Sequence, residues 1–168
     1  EFGARHCKPQ NPLCETCPFV ETCFAARKNA VNNFPVKDKK TKVRTRHFEY
    51  FVFDAKGKTF LKKRENAKDI WRNLYEFPML EYETEISEKI ILTNAKKKFG
   101  LSKKDFTIKN ISTEVKHILS HQILKARFWE MELKKSPPTL QKEFLLVEKK
   151  KINSFALPRL IDKHWNGK

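Results

Sequence analysis

Glycine is scarce in this chain, with four in 168 residues. Neither a G-x-G-x-x-G run nor a Walker pattern occurs, so the glycine-rich cradles that hold nucleotide phosphates are excluded. Long apolar runs are missing too. No stretch approaches the roughly 18–20 residues of a membrane-spanning helix, and no signal peptide opens the chain. It starts at Glu1 without methionine and reads as cut from a longer protein. Cysteine is absent after residue 23, which rules out a disulfide framework spread through the fold. Free clustered thiols fit a reducing cytoplasm. Acidic residues are outnumbered, 20 against 36 Lys+Arg, giving a formal charge of +16. Such an excess favours a polyanionic partner, nucleic acid first.

What is present begins with four cysteines spaced Cys7-x6-Cys14-x2-Cys17-x5-Cys23. Thiolates gathered this tightly are ligands of zinc or of an iron–sulfur cluster. Structural zinc usually takes two close pairs, and only Cys14 and Cys17 form one here. The spacing therefore favours a four-iron cluster, with zinc as the alternative.

The segment 32–46 holds a proline, two asparagines and six basic residues with little apolar periodicity, and reads as an extended linker. From residue 46 the pattern becomes α+β. Phe48, Tyr50 and Val52 alternate with Glu49, Phe51 and Phe53, a strand usable on both faces. Asp54-Ala55-Lys56-Gly57 is a turn that pairs residues 59–63 back as a hairpin. Thr84 or Ser87 can cap a helix that turns Ile91, Ala95 and Phe99 inward and ends on Gly100 in the left-handed conformation. Further strands are expected at 105–111, 114–119, 122–133 and 143–149, with Lys149-Lys150-Lys151 as a solvated strand end. A last helix from about Pro158 would bury Leu160, Ile161, His164 and Trp165.

This order of strands, helix, strands and terminal helix resembles the Nudix (MutT-like) fold: a mixed sheet with flanking helices, preceded here by an irregular four-cysteine loop. The Nudix helix carries R-E-U-x-E-E-x-G-U, whose glutamates hold magnesium. Phe99-Gly100-Leu101 matches x-G-U, but the preceding positions are Thr93, Asn94, Ala95, Lys96, Lys97 and Lys98. Each carboxylate position holds Asn or Lys, so the resemblance implies a fold kept without its diphosphate hydrolysis.

Four segments sharpen the resemblance. Residues 2–18, with Asn11-Pro12-Leu13-Cys14, resemble the iron–sulfur loop that ends the catalytic domain of helix-hairpin-helix DNA glycosylases, adenine glycosylases of the MutY type above all. Phe34-Pro35-Val36-Lys37 with Lys39 and Lys40 resembles their interdomain connector. Ile70 to Pro78 resembles a Leu-Trp-x-Phe-Pro segment, with Tyr75 in the Trp place; Trp71 and Phe77 alone read as core and turn packing. Val115-Lys116-His117-Ile118-Leu119-Ser120-His121-Gln122 resembles the Phe-Ser-His loop that recognises 8-oxoguanine opposite adenine, with Leu119 where Phe is common.

The resemblance implies residues 1–27 as cluster loop, 28–45 as basic connector and 46–168 as the Nudix-like lesion-recognition domain of an adenine DNA glycosylase in base-excision repair. Cys7, Cys14, Cys17 and Cys23 would hold a [4Fe-4S] cluster in the intact protein. Leu119 would be an apolar wedge and Ser120 the lesion contact. His121 would touch phosphate or base, or brace the turn, and His117 reads as a strand histidine. Arg5 and Lys8 would meet phosphate beside the first ligand, and Lys39 and Lys40 along the connector. The implied partner is double-stranded DNA carrying 8-oxoguanine opposite adenine, bound by a monomer, with repair or replication proteins at the connector. The catalytic Glu and Asp would precede residue 1, leaving this stretch inactive alone. Two rivals stand beside this reading: a stand-alone Nudix hydrolase of oxidised nucleotides, and a zinc-binding interaction module.

Overall fold

Between Phe2 and Phe34 the chain has few residues that could pack a core, and its backbone is a succession of tight turns. The computed structural model describes residues 2–34, 36 and 43–167. It divides into two compact units, 1–42 and 43–168, and the division lies inside the expected connector. The first unit has two one-turn helices, α1 (Phe2–Arg5) and α2 (Phe24–Arg27), and a 3-10 turn at Val31–Asn33. Cysteines sit at the junctions of its turns: the amide of Cys17 donates to Cys14 O at 3.1 Å, and that of Arg27 to Cys23 O at 3.0 Å.

The second unit is built on β1 (Arg44–Asp54), whose aromatic residues bury both strand faces. The following strands are β2 (Lys58–Lys63), β3 (Tyr75–Glu76) and β4 (Met79–Tyr82). Helix α3 (Glu88–Phe99) precedes β5 (Phe106–Ile111), β6 (Val115–Ile118) and β7 (Gln122–Leu133). Then come α4 (Pro138–Glu143), β8 (Leu145–Glu148) and α5 (Arg159–Asn166). One sheet runs β4-β1-β7-β5 with β6 also paired to β7; a smaller one runs β3-β2-β8. β1 and β7 are parallel along their whole length, from Arg44 opposite Gln122 to Asp54 opposite Glu132.

Alternation along β1 and β7 sends side chains into two cores. Phe48, Tyr50, Val52, Leu124, Ala126 and Phe128 face one, closed by Leu160 and Ile161 of α5. Phe51, Phe53, Trp129, Met131 and Leu133 face the other, closed by Ile91, Ala95 and Phe99 of α3. Each buried phenylalanine contributes about 1.5–3 kcal/mol relative to exposure. Helix α3 stops as its sequence requires: Gly100 takes φ +67° and the Leu101 amide returns to Lys96 O at 2.9 Å, the six-to-one closure of a left-handed C-cap.

Three local expectations differ from the structure. The turn at Asp54–Gly57 forms, with the Gly57 amide on Asp54 Oδ1 at 2.9 Å, but β2 joins β1 only through the Ala55–Lys58 bridge. β1 already has β4 and β7 as neighbours, so β2 pairs instead with β3 and β8. Residues 143–149 are not one strand: α4, with Pro138 at its first position, ends at Glu143 and leaves only Leu145–Glu148 to pair. Lys149-Lys150-Lys151 then begins a 3-10 turn rather than ending a strand, with Lys149 Nζ on the Asp54 carboxylate.

Candidate nucleic-acid interface

The hairpin of β6 and β7 turns through two residues, closed by the Leu119 amide on Gln122 O at 2.9 Å. Its tip is tied to the start of β1 by the Arg44 amide on His121 O at 3.2 Å. Ser120 and His121 therefore stand exposed on a fixed backbone. Strand alternation settles the rest. Val115 and His117 lie opposite Ala126 and Leu124, on the core side, while Lys116 and Ile118 lie opposite Lys125 and Ile123 on the other. Leu119 is half-buried against the first core, so the side chain expected to project points inward. The most exposed apolar residue of β6 is Ile118, 69% accessible against 36% for Val115 at the strand's start. Ile118 went unmarked in the sequence although the inward pattern of Val115, His117 and Leu119 already turned it outward.

Trp71 braces this hairpin from behind. Its ring lies 5.8 Å from His117 and 6.3 Å from Phe48, and its φ is +60°. That backbone region is strained for a bulky residue and persists only where surrounding structure imposes it. His117 is thus a supporting strand residue, and Phe77 is fully buried with Trp165 against it.

Beneath the same end of β1 lies a charged lattice. Arg46, almost wholly buried, donates to Glu81 at 2.6 and 2.7 Å, to Asp69 at 2.6 and 3.0 Å and to Gln122 at 3.2 Å. Arg64 pairs with Asp69 and Glu76. Hydrogen bonds from Arg46 hold the Asp69 carboxyl down at about 2, against the upward push of burial. Burial raises Glu76 despite Arg64, and pushes the Tyr50 phenol well up. On the opposite face Glu49 is buried, accepting from Arg127 and, at 2.7 Å, from the Trp129 indole. The first lattice, with Lys62, Lys63 and Lys98, lines a cleft of about 280 Å3.

The Nudix-box positions have taken structural work. Asn94 donates to the Tyr82 hydroxyl at 3.1 Å, Lys98 donates to Met79 O at 3.0 Å, and Lys97 is exposed. Of the carboxylates lining the neighbouring cleft, Asp69, Glu76 and Glu81 are engaged by Arg46 and Arg64.

In the first unit Cys7, Cys14, Cys17 and Cys23 line one cavity of about 30 Å3 with His6 and Leu13. Burial, and then the neighbouring thiols of Cys7, Cys17 and Cys23, raise the Cys14 thiol. Among the described residues no three His, Cys, Asp or Glu side chains are gathered into a site for one metal ion. Arg5 and Lys8 are exposed beside Cys7; Lys39 and Lys40 lie outside the described residues.

A NUDIX domain model matches residues 50–167. The chain belongs to the NUDIX domain family. The chain is 31% identical over 123 residues to the adenine DNA glycosylase of Buchnera aphidicola subsp. Schizaphis graminum, covering 73% of this chain and 34% of that protein. It is 33% identical over 130 residues to the adenine DNA glycosylase of Buchnera aphidicola subsp. Baizongia pistaciae, covering 74% and 33%. The chain thus spans about a third of the length of these curated relatives. A crystal structure of a Nudix hydrolase from M. Smegmatis, RenU, superposes with a TM-score of 0.51 at 12% identity, covering 77% of this chain and 85% of that one. The NUDIX fold, mixed sheets with flanking helices, is therefore present with its box carboxylates replaced. No helix among the described residues is long and apolar enough to cross a membrane.

Proposed function

We propose that this chain is the lesion-reading part of an adenine DNA glycosylase, acting in base-excision repair on adenine mispaired with 8-oxoguanine. The observation that carries the reading is the Ser120-His121 turn: exposed, closed by backbone hydrogen bonds and anchored to β1, in a chain similar to two adenine DNA glycosylases. In 8-oxoguanine, C8 bears a carbonyl and N7 becomes a donor. The Ser120 hydroxyl both donates and accepts, so it can answer that changed edge. One such contact offers roughly 1–3 kcal/mol of discrimination, a bias that a catalytic domain must complete. His121, at the same tip, meets the adjoining phosphate or base. Arg5, Lys8, Lys39 and Lys40 add salt-dependent affinity without sequence preference.

Excision of adenine needs a general acid and a group to stabilise the sugar cation. That chemistry falls to the two-thirds of the relatives' length that this chain does not span, and we expect the chain alone not to release adenine. Cys7, Cys14, Cys17 and Cys23 are the residues that would hold a [4Fe-4S] cluster, whose role here is to order the loop. Their spacing, with Cys14 and Cys17 as one close pair where structural zinc usually takes two, favours a cluster over zinc. The working form is a monomer in the bacterial cytoplasm.

Binding of defined duplexes tests the reading. The full-length protein should bind 8-oxoguanine opposite adenine about tenfold tighter than guanine opposite adenine; equal binding would refute lesion reading. Magnesium-dependent release of pyrophosphate from 8-oxo-dGTP would instead establish the hydrolase rival. One zinc per protein, without DNA affinity, would establish the interaction module.

A further inference from the structure

The β6–β7 hairpin has an outer face as well as a tip, and the composition of that face is specific. On β6 the outward residues are Lys116 and Ile118, in line with exposed Ser120. Directly across on β7 stand Lys125 and Ile123, and across on β1 stand His47 and Thr45. Lys116, Lys125 and His47 therefore form one row behind Ile118, Ile123 and Thr45, and the serine leads both. Lys125 is held to Glu114 at 3.1 Å, and Lys116 carries the row's remaining fixed charge outward from an exposed position. α3 covers the same sheet face only as far as Arg127, which reaches Glu88 at the helix start.

We propose that Ile118, rather than Leu119, is the apolar side chain with which this hairpin presses on the DNA base stack. Lys116 lies on the flanking phosphate. The inference rests on the lesion-reading role proposed for Ser120 and adds a residue to it. Geometry gives the register: residues two apart on one strand face are separated by about 6.5–7 Å, and stacked bases repeat every 3.4 Å or so. Ile118 thus meets the stack about two steps from the base that Ser120 reads. A two-stranded ribbon fits a DNA groove, and apolar side chains set against base steps partly unstack them. A duplex is the occupant that the face's charge favours, because an isoleucine pair backed by lysines matches stacked bases edged by phosphates. Leu119 contributes differently, by fixing the turn from the core side.

The test uses the full-length protein and fluorescent duplexes with 2-aminopurine placed two steps from the 8-oxoguanine or from a control guanine. Ile118→Ser should weaken binding to both duplexes about tenfold, keep the ratio between them within about twofold, and abolish the 2-aminopurine signal change. Ile118→Val should restore most of each. Because Ile118 is 69% accessible, the melting temperature should hold. Leu119→Ala should lower the melting temperature, yet bind within about twofold of wild type below it. Ile118→Ser with wild-type affinity and fluorescence would overturn the proposal. So would a tenfold loss in folded Leu119→Ala, which returns the wedge to that residue. Ser120→Ala separates this claim from the one beneath it. If Ser120→Ala and wild type discriminate the two duplexes alike, lesion reading fails, and the Ile118 contact is still judged on the control duplex.

Discussion

The two units of this chain hold themselves together by different means. In the second, every fully buried apolar side chain among the described residues lies between Phe48 and Ile161, and seven phenylalanines (48, 51, 53, 60, 77, 99 and 128) are sealed in. In the first, Phe2, Leu13, Phe19 and Phe24 are exposed and neither one-turn helix buries a core residue. Its described residues bury little apolar surface, and four cysteines line one cavity there instead. The difference teaches that the second unit should answer to packing and ion pairs, and the first to its four cysteines and their tight turns.

The largest expected effect attacks the packed half at its buried charge. Arg46→Ala leaves Asp69 and Glu81 without their shared partner and should cost about 3–5 kcal/mol in urea unfolding. A loss under 1 kcal/mol would show that the lattice is ornamental. Gly100→Ala comes next, at about 1–3 kcal/mol. The residue sits at φ +67°, and an added Cβ would lie 2.8 Å from Thr139 Oγ1. Unchanged unfolding would mean that α3 does not depend on this cap.

Acid sharpens the comparison further. Asp69 is held at about 2 in the folded state against an ordinary 3.8, so its contribution is complete above pH 4 and is lost as pH falls towards 2. Glu76 is raised above its ordinary 4.5 and works in the opposite sense, since protonation relieves a buried charge and adds stability as pH falls through its folded value. Stability should therefore hold, or rise slightly, from pH 7 to about 5 and decline below 4. Asp69→Asn should flatten that decline, and an unaltered profile would remove Asp69 as its cause. The smallest effect is a zero. Cys14→Ser should leave unfolding of residues 43–168 within about 0.5 kcal/mol while increasing proteolysis before residue 34. A coupled shift would mean that the two units share stability.

Much of the second unit was legible because period-two alternation in β1 and β7 and the Ile91-Ala95-Phe99 spacing in α3 are strong physical signals. The pairing of β2 was not, since which strand edge remains open is decided by distant partners. Helix α4 drew no reading before Glu143, where a strand was expected to begin, although Pro137-Pro138 marked the helix start. At the site, Ser120 and His121 fell on the exposed turn as their sequence context implied. Leu119 packs against the first core, in line with its alternation with His117, which the wedge expectation overlooked. The Arg46–Asp69–Glu81 lattice joins residues up to 35 apart, beyond the reach of local patterns. The four-cysteine spacing suggested ligand chemistry, and the structure lines one cavity with those residues.

The central claim, that this domain reads 8-oxoguanine through Ser120, is tested most directly by one comparison of affinities. Duplexes with 8-oxoguanine or guanine opposite adenine are titrated with wild type and Ser120→Ala at fixed salt. The account predicts that wild type prefers the lesion about tenfold and that Ser120→Ala loses most of that preference while binding the guanine duplex unchanged. A preference that survives Ser120→Ala intact would contradict it.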